Sequence, residues 1–243
     1  MRFKILLDVQ KVPQAYRMYL LSFIKEMIRK GDEELYNRLY DGNKKPKPFT
    51  FSFYMNNFNF HDETSEYVMK NATLIFSTSD VNVGVAFING LSITQQYDHP
   101  EYPLKIKNKQ IAQEKPITSN VVTFNILNAL LVEDKMKKPL LIYNPTFEQE
   151  LNIIMNKQFQ VLYGRQLHEP LKICGHRLKK QVIKETNRYA NGKTLYYTAQ
   201  KGIIQLQGHP EDLKLLYQDG LGIRTAQGYG TLEILNTRGE STW

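Results

Sequence analysis

A single cysteine, Cys174, stands in 243 residues. One thiol excludes an intramolecular disulfide and any cysteine-based metal site. Long apolar runs are missing too: no uninterrupted stretch approaches the ~18 residues that suggest a membrane span. At the start, Met1-Arg2-Phe3-Lys4-Ile5-Leu6-Leu7-Asp8 is interrupted by Asp8 before a signal-peptide apolar core is complete, so a cytoplasmic protein without membrane contact is expected. His61, His99, His168, His176 and His209 are scattered, and no pair has metal-ligand spacing on a recognisable motif; neither metal nor cofactor is expected. Acid is short relative to base. With 24 Asp plus Glu against 32 Lys plus Arg the net charge is +8, which favours a polyanionic partner, nucleic acid first and an anionic membrane surface second. Hydrophobic residues make up 42%, enough for a real core and too many for a disordered chain.

Periodicity supplies an element order. Phe3 to Val9 is strand-like. After Pro13, Tyr16, Tyr19, Leu20, Phe23, Met27 and Ile28 recur at helical spacing until Gly31, and Ser22, Lys25 and Arg29 form a stripe on the opposite face. A loop rich in Asp, Asn, Lys and Pro spans Asp41 to Pro48. Strands are expected at Phe49–Tyr54 and Ala72–Ser77 with a hairpin connection from Asn56 to Ser65 between them, then a helix over Val81–Leu91 and a strand over Leu104–Gln113. Strand, helix, strand, strand, helix, strand is the ferredoxin-like order.

Pro116 to Asn120 is a plausible junction, dividing 1–117 from 118–243, and beyond it the order loosely recurs. Val121–Val132 and Leu140–Tyr143 are strand-like, and Thr146–Leu162 is helical with Thr146 as cap. Leu178–Thr186 and Thr194–Gln207 flank the turn signal Asn191-Gly192. Pro210–Tyr217 is a short helix and Thr231–Leu235 a closing strand. The fold class expected is α+β, two tandem ferredoxin-like (βαββαβ) domains, on element order rather than on any clean sequence repeat.

Two segments stand out chemically. Gly220-Leu221-Gly222-Ile223-Arg224-Thr225-Ala226-Gln227-Gly228-Tyr229-Gly230 places four glycines in one loop. Its backbone amides offer a phosphate nest, at Gly222 and Gly228 among others, and Arg224 adds a fork of donors. The alternative is a glycine-rich connection without ligand. A strand follows the loop and no Gly-Lys-Ser/Thr appears, so it is neither a dinucleotide fingerprint nor a P-loop. From Lys172 to Lys193 the cations are Lys172, Arg177, Lys179, Lys180, Lys184, Arg188 and Lys193, with His176 among them, Tyr189 at the turn and Glu185 the only acid. Such a hairpin suits an RNA backbone; the alternative is a solubilising edge hairpin.

The spaced pair Gly-Leu-Gly, five residues, Gly-Tyr-Gly resembles the terminal motif of the CRISPR-associated endoribonucleases numbered six (Cas-six), members of the RAMP superfamily that process repeat RNA. Met1-Arg2-Phe3, the Tyr- and Leu-bearing first helix and Pro46-Lys47-Pro48-Phe49-Thr50-Phe51-Ser52 resemble the family's N-terminal half. The resemblance implies two ferredoxin-like domains and metal-independent cleavage in which the ribose 2′-OH attacks its adjacent phosphate, giving a 2′,3′-cyclic phosphate and a 5′-OH. Where many members place a histidine after the first helix, this sequence has Tyr40-Asp41; Lys47 falls on the family's lysine and Lys25 near its helix tyrosine. The resemblance therefore implies Lys25, Tyr40 and Lys47 as catalytic candidates. Lys47 would stabilise phosphate charge, Lys25 act as base or acid if neighbouring cations lower its pKa, and Tyr40 orient or donate a proton. Arg29, Lys44, Lys45, His176, Lys179, Lys180, Arg188, Lys193, Gly222, Arg224 and Gly228 are the RNA-binding candidates. The expected partner is CRISPR repeat RNA, with a monomer or homodimer acting as endoribonuclease. The alternative is a non-cleaving RNA-binding relative, including a structural subunit that meets other proteins of a CRISPR effector complex.

Overall fold

The structure, a computed structural model, describes residues 1–42, 45–186 and 194–237. Two compact units emerge. The first comprises Met1–Lys44, Phe51–Gln113 and Lys184–Leu195; the second comprises Lys45–Thr50, Glu114–Ile183 and Tyr196–Trp243.

The first unit runs β1 (Arg2–Asp8), β2 (Lys11–Pro13), α1 (Tyr16–Gly31), α2 (Glu33–Tyr40), β3 (Thr50–Asn56), β4 (Asn59–His61) and β5 (Glu66–Val68). It continues with β6 (Asn71–Ser77), α3 (Val81–Ser92), β7 (Gln96–Tyr97) and β8 (Leu104–Ile111). Its main sheet has the order β3-β6-β1-β8-β7. Strand alternation decides which face is covered. Phe3, Ile5 and Leu7 are fully buried and stand opposite Phe76, Leu74 and Ala72 in an antiparallel register. Phe76 stacks on Phe87 of α3 with ring centroids 4.1 Å apart. From α1, Leu20, Phe23, Ile24 and Met27 complete this core.

Gly31 and Gly90 let α1 and α3 cross with backbones in contact. A Cβ on Gly90 would lie 1.8 Å from the Met27 carbonyl oxygen, and one on Gly31 would lie 1.9 Å from that of Ala86. Gly31 is thus a packing residue. The helix ends at Asp32, whose N–H donates to the Ile28 carbonyl and whose Oδ1 caps α2 by accepting from the Leu35 N–H at 2.8 Å.

The second unit runs β9 (Val121–Ile126), α4 (Phe147–Tyr163), β10 (Lys172–Thr186), β11 (Thr194–Gln207), α5 (Pro210–Asp219) and β12 (Leu232–Asn236). Its sheet order is β10-β11-β9-β12. Numbering each βαββαβ set from one to four, both sheets read 2-3-1-4. The fold is therefore two tandem ferredoxin-like repeats of one topology. Phe124, Ile126, Ile204 and Leu206 from the strands pack with Phe147, Leu151, Met155, Leu213 and Leu216 from the helices.

Several local expectations change. The strand expected over Val121–Val132 ends at Ile126, because the chain then turns to pair with the glycine loop. Leu140–Tyr143 forms a turn rather than a strand, closed by the Asn144 N–H on the Leu141 carbonyl. Thr146 heads α4 without a side-chain cap; its hydroxyl donates to Asn144 Oδ1 at 2.8 Å instead. The Asn56–Ser65 connection holds β4, and β2, β5 and β4 make a separate three-stranded sheet.

Replacing a helical glycine by alanine ordinarily gains about 1 kcal/mol in propensity. Here the contact with Met27 reverses the sign, and Gly90→Ala is expected to destabilise by about 1–3 kcal/mol through overpacking. Urea unfolding of the variant measures this, and a raised midpoint would disprove the close approach.

Candidate nucleic-acid interface

The glycine loop is held by the segment just after β9. The Leu221 N–H donates to the Gly230 carbonyl, that of Ile223 to Leu131 at 3.0 Å, and that of Gly230 to Ala129 at 2.7 Å. Gly220, Gly222, Gly228 and Gly230 all have positive φ. At Gly230 a Cβ would sit 1.9 Å from the Leu221 carbonyl oxygen, so no other residue fits there. Buried Asn128 ties the loop's end. Its Nδ2 donates to the Gly228 carbonyl and Thr231 Oγ1, and its Oδ1 accepts from the Ala129 and Thr231 N–H groups. Thr50 adds a hydroxyl contact to Thr231 at 2.8 Å.

Gly222 and Gly228 are the two glycines expected to offer a phosphate nest. Both are buried, and their amides already have acceptors inside the fold, Met155 Sδ for Gly222 and the Thr225 carbonyl for Gly228. The glycines form a bracket, and what the bracket presents is Arg224. Arg224 is exposed, holds a left-handed φ of 59°, and lays its guanidinium over the Tyr197 ring at 4.7 Å. Its Nη1 donates to Gln227 Oε1 at 3.2 Å. Nearby, burial raises the Glu133 carboxyl above its ordinary pKa, against the opposing pull of Arg224 and Lys137.

In the first unit, α1 and α2 bring Lys25 and Tyr40 together. The Lys25 ammonium lies 4.3 Å from the Tyr40 ring centroid and 5.8 Å from that of Tyr36. A shallow cavity of about 270 Å³ borders Lys25 and Tyr36, lined also by Ser22, Glu26, Arg29 and Tyr97. Arg29 is engaged by Glu26 at 2.9 Å, so the cation expected to act on Lys25 is already compensated. Burial and then Tyr36 push the Tyr40 phenol well above its ordinary pKa, which makes it a poor proton donor near neutrality. Lys47 belongs to the second unit, where its carbonyl accepts from the Phe49 N–H and its neighbour Lys45 is exposed.

On β10, an edge strand, Lys172, His176, Arg177, Lys179 and Lys180 are exposed, and Tyr143 lies 6.3 Å from the His176 ring. The one acid of the stretch is turned inward: buried Glu185 meets buried Arg17 at 3.3 Å. Lys44, Arg188 and Lys193 lie outside the described residues, as do Tyr189 and the Asn191-Gly192 turn.

Sequence reading missed Tyr36, Tyr197 and Asn128, none of which belongs to a motif. It also missed the grouping of His168 and His209 beside Asp212. Asp212 is fully buried in the first turn of α5, with Oδ1 on Arg165 at 2.8 Å and on His168 Nδ1 at 2.9 Å, and Oδ2 on the His168 N–H. That knot anchors α5, the helix leading into the glycine loop.

Tandem ferredoxin-like units with a basic edge strand and a glycine bracket define the class of fold. Solved structures of the same fold include the one described as a characterization of a Cas6-related gene from Pyrococcus furiosus, with a TM-score of 0.79 at 18% identity over 97% of this chain and 98% of that one. Another, described as an RAMP protein binding different RNA substrates, has a TM-score of 0.75 at 14% identity over 97% of this chain and 100% of that one. Residues 11–100 match the family CRISPR-associated protein Cas6, N-terminal, and residues 111–234 match CRISPR associated protein Cas6, C-terminal. The chain belongs to the Cas6 family of CRISPR-associated proteins. A curated relative, the CRISPR-associated endoribonuclease Cas6 of Pyrococcus furiosus, is 24% identical over 233 residues, which is 92% of this chain and 84% of that protein.

Asn128→Ala would remove the side chain's hydrogen bonds to the Gly228 carbonyl and to the Ala129 and Thr231 N–H groups, in a setting where each buried group left unsatisfied costs about 1–3 kcal/mol. A stability loss of about 3 kcal/mol or more is expected in chemical unfolding, together with altered Tyr197 side-chain signals as Arg224 shifts. A variant as stable as the parent would show that the bracket does not depend on this residue.

Proposed function

We propose that this protein is an endoribonuclease that binds CRISPR repeat RNA and cuts it without metal. The ribose 2′-OH attacks the adjacent phosphate, and the products carry a 2′,3′-cyclic phosphate and a 5′-OH. The observation that carries this reading is the half-buried Lys25 ammonium, held over two tyrosine rings beside an open cavity in a member of the Cas6 family. A cation fixed this way suits electrostatic stabilisation of the crowded transition-state oxygens better than proton transfer. Lys47, in the second unit, is the remaining candidate for stabilising phosphate charge. Tyr40 acts through its ring, as the platform for Lys25, rather than through its hydroxyl. Arg224, with Lys45, His176, Lys179 and Lys180, holds the strand.

The second reading, a non-cleaving RNA-binding member or structural subunit of an effector complex, is favoured by one observation. Tyr40-Asp41 stands where the family resemblance leads one to expect a histidine, and burial makes the Tyr40 phenol a poor acid. Incubation with the cognate repeat RNA in EDTA separates the two. Cleavage that is lost when the scissile nucleotide is 2′-deoxy supports the first, and tight binding without product leaves the second.

Two substitutions test the roles. Lys25→Ala is expected to slow single-turnover cleavage by roughly 10²–10³-fold, the scale of losing one preorganised charge-stabilising group. Tyr40→Phe, which keeps the ring, is expected to stay within a few-fold of the parent. An inactive Tyr40→Phe with intact folding would return the proton-transfer role to the hydroxyl.

A further inference from the structure

Between β9 and α4 the chain makes a tight turn that no motif marks. Glu133 and Pro139 form an antiparallel bridge, and the Leu140 N–H donates to the Val132 carbonyl. Inside it, Asp134 Oδ1 accepts from the Met136 N–H at 2.8 Å and the Lys138 N–H at 2.9 Å. The Asp134 N–H donates to the Lys138 carbonyl, and that of Lys137 donates to the Asp134 carbonyl. Lys137 itself has a left-handed φ of 62°. The Asp134 carboxylate thus organises the turn's own backbone, while Lys135, Lys137 and Lys138 project outward, all exposed. None of these three ammonium groups closes an ion pair with a carboxylate among the described residues.

The turn is continuous with the glycine bracket. Ile223 donates to Leu131, two residues before Glu133, and the Glu133 carboxyl feels both Arg224 and Lys137. Three lysines on a rigid loop and one arginine on a neighbouring rigid loop therefore form one cationic surface. Its two acids are a half-buried Glu133 and an Asp134 engaged in the turn. Backbone order matters here, because lysines on a fixed turn lose less freedom on engaging a ligand than lysines on a mobile loop. The spread of charge suits successive phosphates, and no planar recognition group among the lysines points to base reading.

We propose that the turn Glu133–Pro139 is a phosphate-backbone contact for the same RNA strand that Arg224 engages, with Lys135, Lys137 and Lys138 as its ligands. This rests on the RNA-binding reading above.

The test measures affinity for a repeat RNA carrying a 2′-deoxy scissile nucleotide across a salt series. It compares the parent, Lys135→Ala/Lys137→Ala/Lys138→Ala, the corresponding lysine-to-arginine triple, and Lys157→Ala/Lys214→Ala, which removes exposed lysines from α4 and α5. The alanine triple is expected to weaken binding on the order of tenfold or more. It should also shallow the slope of log affinity against log salt, by about 0.7 for each single-strand phosphate that is no longer neutralised. The arginine triple should restore the slope and the α4/α5 double should leave it unchanged. A parent that fails to bind overturns the RNA reading and this contact with it. A parent that binds with the same affinity and slope as the alanine triple overturns this contact alone, as does an equal effect of the α4/α5 double.

Discussion

The glycine loop's shape depends on how closely the chain at Gly230 passes Leu221. Two backbone strands approach so tightly that a single methyl group at position 230 would collide with the Leu221 carbonyl oxygen at 1.9 Å. Given that approach, the Leu221, Ile223 and Gly230 amides close on carbonyls, and Asn128 binds the Gly228 carbonyl and the Thr231 N–H. Arg224 is then forced outward in a left-handed conformation. The same ladder carries the chain from Leu131 into the lysine turn, so two cationic loops share one rigid foundation.

The first unit solves a similar problem differently. Backbone contact between α1 and α3 at Gly31 and Gly90 fixes α1 on its sheet, and α2 folds back from Asp32 so that Tyr36 and Tyr40 face Lys25. Electrostatics follow from this packing. Glu26 compensates Arg29, while Glu185 is buried against Arg17. A buried pair of this kind adds little net stability but is costly to break, by about 3–5 kcal/mol when one partner is removed. Its effect is to hide the one acid of a basic stretch. The exposed part of β10 is consequently more basic than its composition implies.

Element order was legible because both βαββαβ sets bury one face of each strand and one stripe of each helix, and those periods survive in sequence. Phe3, Ile5 and Leu7 against Lys4 and Leu6 is such a signal. The eight residues of α2 were too short for a period to show, although Asp32, Glu33 and Glu34 do form a capping signature. Three-residue strands such as β4 carry no pattern. Leu140–Tyr143 mimicked a strand because Leu140 and the half-buried Ile142 enter the core from a turn. At the candidate site, charge and the family motif were visible, but partners were not. The loop looked like a run of free amides because the acceptors of Ile223, Gly230 and Gly222 lie in Leu131, Ala129 and Met155, far earlier in the chain. Lys25 and Tyr40 were each singled out, yet nothing local announced that the tyrosine ring would carry the ammonium.

The central claim is that the glycine loop is a closed bracket that presents Arg224, and amide hydrogen exchange tests it most directly. In the protein without RNA, the Leu221, Ile223 and Gly230 amides should already exchange slowly, and adding uncleavable repeat RNA should change them little. Fast exchange at these amides that becomes slow only when RNA is added would contradict the account and restore the loop as a phosphate nest.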